Sequence, residues 1–344
     1  MSPSIAYLNP AEAARRLGVS AKALRLYEQR GLVAPVRTEA GWRAYGQAEM
    51  ARAAEVAALR ALGLSLAQTA RVLAGDAQGL APALAAHQAS LEDRARGLAE
   101  TVEKVRRLRT GLAQGQTPAL AELTRLAAPA MEVRAAFDLP WPWGGERFEL
   151  RDLRALTYII GPLGSGKTRL ARKIAETLPG AVFLGLERLE DDGAAAGARL
   201  AADAALTARV DETLAWLGEE GAMMSDALTA LVAGVEAEGP KALVVDMVEQ
   251  GLDQATQEAV IAWLRRRGQG ARPLFLMTRS SAILDLSAVG EDEAIILCPA
   301  NHSPPMRVAA WPGAPGYEAV ATCLASPEVR ARTEGMRATR PDAA

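Results

Sequence analysis

Leu84, Leu91, Leu98, Val105 and Leu112 stand seven residues apart, with Ala95 and Val102 in the intervening layer and Leu108 nearby. Apolar residues at that spacing form one seam along a helix, with charges between them. The pattern runs unbroken from about residue 80 to 113. A helix resting on its own globular core favours a 3.6-residue period, so a strict seven-residue repeat over five heptads points to a coiled coil. A single amphipathic helix packed on the chain's own core is the alternative. The seam also divides the chain, because the patterns before and after it differ.

The charge differs across the same divide. The 344 residues carry 39 Lys+Arg against 41 Asp+Glu, a formal net charge of −2. That total argues against a nucleic-acid partner until the chain is split. Residues 1–116 hold 16 basic and 10 acidic side chains, whereas residues 117–344 hold 23 and 31. Such asymmetry between halves is a pointer to nucleic acid, with chance fluctuation as the alternative. The hydrophobic fraction of 50% is enough for real cores, and the length suggests about two domains. No run of about 18 uncharged apolar residues is present, so no membrane span is expected. Met1–Leu8 lacks the basic and apolar regions of a secretory signal. Cys298 and Cys323 have neither metal-site nor disulfide spacing, which fits a reducing cytoplasm as the expected location.

The first 75 residues read as short helices around a small hairpin. Asn9-Pro10-Ala11-Glu12 is a capping box with Pro at the first helical position, and Gly18 stops that helix. A second helix over 21–30 is closed by Gly31. Two short helices joined by a turn containing Gly match the helix-turn-helix pattern. Pro35, Arg37, Gly41, Trp42, Arg43 and Tyr45 mark a β-hairpin or wing. Helices follow at about 47–61 and 65–74, the second opened by the capping pair Ser65 and Gln68.

Val19-Ser20-Ala21-Lys22-Ala23-Leu24-Arg25-Leu26-Tyr27-Glu28, Gly31-Leu32, Pro35, Arg37-Thr38, Gly41-Trp42-Arg43-Ala44-Tyr45 and Leu62-Gly63-Leu64-Ser65-Leu66 occur in an order and spacing that resemble the MerR family of bacterial transcription regulators. The long helix stands where that family places its antiparallel dimerisation helix. On chemistry alone, Lys22, Arg25 and Tyr27 lie near the start of the second helix, where a recognition helix meets the major groove. Arg37, Arg43 and Tyr45 sit on the wing and suit phosphate and sugar contacts. For each Arg, a solvated surface charge is the alternative; for Tyr27 and Tyr45, it is core packing. The resemblance implies that Lys22 and Tyr27 touch DNA and that Arg43 and Tyr45 anchor the wing. It further implies a homodimer on double-stranded promoter DNA, with distortion of an overlong spacer that helps or blocks RNA polymerase.

After residue 116 the pattern changes. Apolar strands are expected at 157–160, 181–186, 242–245, 273–277 and 294–297, separated by helices, which implies a mainly parallel sheet. Gly161-Pro162-Leu163-Gly164-Ser165-Gly166-Lys167-Thr168 fits G-x-x-x-x-G-K-[ST] between a strand and a helix over 169–178. Backbone amides at such a helix start cradle phosphates, with Arg169 on the first turn. Lys167 would reach the β- and γ-phosphates and Thr168 would hold Mg²⁺. Asp246, ending the apolar run 242–245, would support the same ion through water; capping the next segment is the alternative.

Asp246-Met247-Val248-Glu249-Gln250-Gly251-Leu252-Asp253 resembles the Walker B and D-loop run of ABC-type ATPases, a resemblance covering about 132–300. Trp141 and Trp143 lie 26 and 24 residues before Lys167, about where ABC-type proteins stack adenine; packing of a Trp-Pro-Trp hairpin is the alternative. The departures are informative. Met247 takes the place of the catalytic glutamate, and Arg279 that of the switch histidine. Met224-Ser225-Asp226-Ala227 matches the signature only at Ser225, and no Gln lies between Arg188 and Met247. Met cannot accept a proton, so general-base hydrolysis would fall to Glu249 as a substitute. Any ATPase activity is expected to be weak. His87 and His302 stand unaccompanied.

The expected chain is multidomain: an all-α winged helix-turn-helix at 1–76, a coiled-coil helix at 77–115, a linker at 116–131, an α/β P-loop domain with a mainly parallel sheet at 132–326, and a flexible tail at 327–344. The expected role is a homodimeric, promoter-binding regulator whose C-terminal domain binds ATP or ADP with Mg²⁺ and modulates DNA binding. A DNA-dependent ATPase, or a regulator with structural nucleotide that senses another small ligand, are the alternatives.

Overall fold

A computed structural model describes residues 7–38, 40–77, 80–114, 133–151, 153–267 and 271–325. The linker expected at 116–131 and the tail expected at 327–344 lie outside the described residues. The chain divides into two compact units. The first takes Met1–Glu132 with Ala215–Gly221 and Arg266–Gly270, and the second takes the remainder.

The first unit begins with α1 (Pro10–Leu17) and α2 (Ala21–Gln29), followed by the hairpin of β1 (Val36–Arg37) and β2 (Arg43–Ala44), then α3 (Gln47–Ala61) and α4 (Leu66–Leu73). Local chemistry fixes the ends. Asn9 Oδ1 accepts the Glu12 amide N–H at 2.9 Å, and Glu12 Oε2 accepts the Asn9 amide at 3.2 Å, completing the box before α1. Gly18 closes the helix at φ 67°, a left-handed conformation that costs glycine least. Ser20 Oγ caps α2 through the Ala23 amide at 3.0 Å, and Ser65 with Gln68 caps α4 reciprocally. The wing is antiparallel, with Val36 opposite Ala44 and Arg37 opposite Arg43. One apolar cluster holds these pieces: Ala13 and Ala14 from α1, Leu24 and Tyr27 from α2, Tyr45 after the wing, and Ala53 and Val56 from α3.

The same unit contains a buried polar joint. Glu220 forms an ion pair with Arg60 of α3 at 2.6 Å and accepts the Leu66 amide at 3.2 Å. Glu219 accepts from Ser65 Oγ at 2.9 Å and pairs with Arg71 at 3.0 Å. Burial raises the Glu220 carboxyl above its ordinary range, and Arg60 opposes that shift.

α5 (Leu80–Ala113) is one unbroken helix of 34 residues, about 50 Å long at 1.5 Å per residue. Leu84, Leu91, Leu98, Val102, Val105 and Leu112 are all exposed along it, Leu98 to 68%. The long helix expected from the heptads is therefore present, with its seam turned to solvent. Among the described residues no helix is long and apolar enough to cross a membrane.

The second unit starts with an antiparallel hairpin of β3 (Val133–Asp138) and β4 (Arg147–Arg151). There follow β5 (Leu156–Ile160), α6 (Lys167–Thr177), β6 (Ala181–Leu184), a 3₁₀ segment over Leu186–Gly193, α7 (Ala194–Ala202) and α8 (Ala204–Glu220), whose last turn belongs to the first unit. The chain continues through α9 (Asp226–Glu236), β7 (Ala242–Val245), α10 (Gln254–Arg266), β8 (Leu274–Met277), β9 (Glu293–Leu297), β10 (Met306–Val308) and α11 (Tyr317–Cys323). Six strands form one sheet in the order β10-β9-β5-β8-β7-β6. All pair in parallel except β10, which runs antiparallel on β9 at the edge. β5, β7 and β8 are buried throughout, as strands covered on both faces must be. Leu170, Ala171 and Ile174 of α6 share a core with Phe137 and Trp143 of the hairpin region and with Ile159, Val244 and Phe275 of the sheet.

The mainly parallel sheet with intervening helices is thus as expected. The strand at 242–245 has the expected bounds, and the other boundaries differ by at most two residues. β6 ends at Leu184 rather than 186, where the chain turns into the 3₁₀ segment, and α6 starts at Lys167 rather than 169.

Candidate functional site

Two surfaces carry the residues singled out by the sequence. On the first unit, α2 exposes Arg25, with Lys22 half-buried beside it. The wing turn exposes Arg37 and places Trp42 at 75% exposure. Arg37 Nη1 donates to the Gly41 carbonyl at 3.0 Å, and the Trp42 amide donates to Thr38 Oγ1 at 3.1 Å, so the turn is pinned from within. Arg43 Nε pairs with Glu28 Oε2 at 2.7 Å, and the Tyr45 hydroxyl donates to the other oxygen of Glu28. Glu28 therefore ties α2 to the wing. Partial burial raises its carboxyl above the ordinary range, against the pull of Arg43, Arg37 and Arg25.

Tyr27 and Tyr45 need correction as surface contacts. Tyr45 is 0% exposed and Tyr27 5%, both inside the apolar cluster. Their aromatic bodies fill the core. Tyr45 acts on the wing only through Glu28, while Trp42 and Arg37 present the open surface.

The second surface lies at the carboxyl ends of the parallel strands, where open α/β sheets take their ligands. β5 runs into the loop Gly161–Gly166 and then directly into α6. A Cβ on Gly161 would stand 2.4 Å from the Cys298 carbonyl oxygen and 2.6 Å from Ser165 Oγ, so only glycine fits there. Gly164 and Gly166 have φ of 80° and 87°, and a Cβ on Gly166 would meet Trp143 at 2.6 Å. Ser165 between them is buried. Alternating left-handed residues turn successive amide N–H groups into one concavity, an arrangement suited to an anion. Lys167 Nζ donates to the Gly161 carbonyl at 2.8 Å and to that of Pro162 at 2.7 Å. Burial lowers its pKa. Thr168 and Arg169 are exposed on the first turn, and the Arg169 guanidinium stacks over the Trp141 ring at 4.7 Å.

Trp141 is 70% exposed, whereas Trp143 is buried against Gly166 with its Nε1 donating to the Ser303 carbonyl at 3.1 Å. Trp143 therefore packs the loop, which corrects its assignment as an open stacking face; only Trp141 offers one.

Asp246 follows β7, and burial raises its carboxyl above the ordinary range while Arg188 and Arg172 oppose the shift. Arg188 Nη1 donates to the carbonyls of Gly185 and Asp246, each at 2.8 Å, and its Nη2 donates to that of Met247 at 2.9 Å. It fixes the turn in which Met247 takes a φ of 41°. Glu249 is 2% exposed, and its Oε1 accepts the Arg279 amide at 3.0 Å. Sequence reasoning missed Arg188 and Glu28, because nothing local distinguishes a buried bracing charge from a solvated one. Among the described residues no three His, Cys, Asp or Glu side chains gather into a metal cage. Thr168 and Asp246 supply one hydroxyl and one carboxylate, a donor pair that fits Mg²⁺ carried with phosphate oxygens and water.

Residues 8–76 match the family described as MerR HTH family regulatory protein. This segment is a MerR-family helix-turn-helix domain. Over 68 residues it is 41% identical to a protein of Haemophilus influenzae named "Probable heavy metal-dependent transcriptional regulator", covering 20% of this chain and 53% of that one. It is equally 41% identical over 68 residues to "Heavy metal-dependent transcription regulator 2" of Rhizobium meliloti, covering 46% of that protein. The chain spans about half the length of these curated relatives, and the match is confined to the MerR domain. Among solved structures, a MerR family regulator lacking the sensor domain, bound to promoter DNA, is 20% identical over 32% of this chain and 97% of that one, with a TM-score of 0.26. Ribosome-bound archaeal Pelota and ABCE1 gives 17% identity over 50% of this chain and 34% of that one, with a TM-score of 0.36. Neither structural likeness is close enough to define a fold.

Proposed function

We propose that this chain is a MerR-type transcription regulator whose C-terminal domain is a P-loop domain that binds ATP or ADP with Mg²⁺ and so modulates binding to promoter DNA. The single observation that carries the nucleotide reading is the glycine loop at the end of β5, with two left-handed glycines flanking a buried serine and Lys167 at the helix start. Phosphates would sit on the loop amides of Gly161, Gly164, Ser165 and Gly166. Lys167 would exchange its two carbonyl partners for β- and γ-phosphate oxygens. Thr168 and Asp246 would hold Mg²⁺, and Trp141 with Arg169 would flank the base. Hydrolysis is not required by this reading. Met247 stands at the place of a general base, and Glu249 is buried and accepts the Arg279 amide through one carboxylate oxygen.

On the MerR domain, Lys22 and Arg25 would meet the major groove, and Arg37, Arg43 and Trp42 the adjoining backbone. Two copies joined along α5 would place two such domains on a two-fold-related site, within reach of RNA polymerase at the promoter. Nucleotide can shift DNA affinity only if it binds the two states of the dimer unequally. The test is operator affinity at fixed salt without nucleotide, with ATP·Mg and with ADP·Mg. A change of about fivefold or more between conditions, abolished by Lys167→Ala, is the expected result. Equal affinity in all three would refute nucleotide control.

A further inference from the structure

His302 lies in the turn between β9 and β10, more than 130 residues from the glycine loop in sequence. Its Nε2 nevertheless stands 3.2 Å from the Gly164 carbonyl oxygen, at hydrogen-bonding distance. Its backbone is left-handed at φ 57°, a conformation that a non-glycine residue adopts at a cost and that the surroundings must hold. Three contacts hold it, the first being the His302 amide, which donates to the Pro299 carbonyl at 3.2 Å. The Ser303 amide donates to Asn301 Oδ1 at 3.2 Å, and the Ser303 carbonyl accepts from Trp143 Nε1 at 3.1 Å. Trp143 itself fills the space beside Gly166. The turn carrying His302 and the ring of Trp143 thus brace the glycine loop at its two left-handed residues.

We propose that His302 is a positioning residue for the nucleotide. It donates from Nε2 to the carbonyl of Gly164, which holds the glycine loop in the conformation that receives phosphate. This rests on the P-loop reading above. Gly164 is exposed, and inside the loop its peptide is tied by a long hydrogen bond, the Ser165 amide donating to the Pro162 carbonyl at 3.3 Å. The His302 contact adds a second constraint on that peptide, from outside the loop. The cradle is then built before phosphate arrives, and the cost of ordering it is not taken from binding.

The test uses the full chain and ATP·Mg. His302→Ala is expected to weaken ATP·Mg binding about fivefold, the equivalent of one ordinary hydrogen bond, with unchanged thermal unfolding. His302→Gln, whose amide can donate to the same carbonyl, is expected to recover most of the loss. The chain has only two histidines. Selective labelling of the imidazole carbons therefore gives two signals, assigned by the Gln variant. ATP·Mg should shift the His302 signal and leave that of His87 in place, and Lys167→Ala should abolish the shift. Wild-type binding with an unmoved His302 signal, or with full affinity in His302→Ala, would overturn the role of His302 and leave the P-loop reading standing. Failure of the wild type to bind ATP·Mg at all would overturn both.

Discussion

At the scale of the residue, burial decides what each charged or aromatic group can do. Asp246 illustrates the sign. Desolvation raises its folded carboxyl above the ordinary range. Such a group favours the folded state at low pH and loses that contribution as pH rises through the folded pKa. Binding of Mg²⁺ runs the other way, since only the carboxylate coordinates. The Mg²⁺-dependent part of nucleotide affinity should therefore fall on acidification while an ordinary Asp would still be ionised. Titrating affinity against pH in wild type and Asp246→Asn checks this: the variant should lack the Mg²⁺-dependent component and its pH dependence, and an unchanged profile would remove Asp246 from the metal site. Tyr45 and Trp42 show the same logic in the MerR domain. Three positions apart, one is wholly buried and the other is at the tip of the wing. Both read from sequence as polar-tipped aromatics in a basic hairpin. Which of them faced solvent depended on β2, whose pairing with β1 fixes the faces.

At the scale of the element, the capped helix starts were legible, whereas the start of α6 and the end of β6 were each two residues off. The capping boxes at Asn9 and Ser65 mark starts that depend on neighbours three residues away. The end of β6 depends on a partner strand far off in sequence, and the expectation ran two residues too far. α5 is the element whose chemistry is least complete within one chain. Its heptad leucines are exposed, and a coiled coil would bury them against a second α5. Leu98→Lys puts a charge in the centre of that seam. Sedimentation should show the wild type as a dimer and the variant largely as monomer, with operator affinity reduced because two half-sites no longer bind as one unit. A variant that remains dimeric would move the interface elsewhere.

At the scale of the whole molecule, a formal charge of −2 conceals a basic N-terminal part and an acidic C-terminal part. A chain of acidic pI, about 5.9, is still expected to bind DNA with strongly salt-dependent affinity, because the phosphate contacts proposed for it all fall on the MerR domain. Measuring operator affinity across a salt series should give a steep negative slope, and a flat one would be incompatible with Arg37 and Arg43 meeting phosphates. The sequence by itself determined the MerR domain, the long heptad helix and the glycine loop between a strand and a helix. Each of these is written in short-range spacing, which caps, turns and a repeat obey locally. The tertiary structure decided the rest. It placed Tyr45 and Trp143 in cores, and set Glu28 between Arg43 and Tyr45. It also brought Arg188 to the carbonyls of Asp246 and Met247, and His302 to Gly164. These are contacts between residues separated by 15 to 138 positions. No local rule specifies them, because they exist only once the sheet order and the packing of the elements have fixed which distant groups share a site.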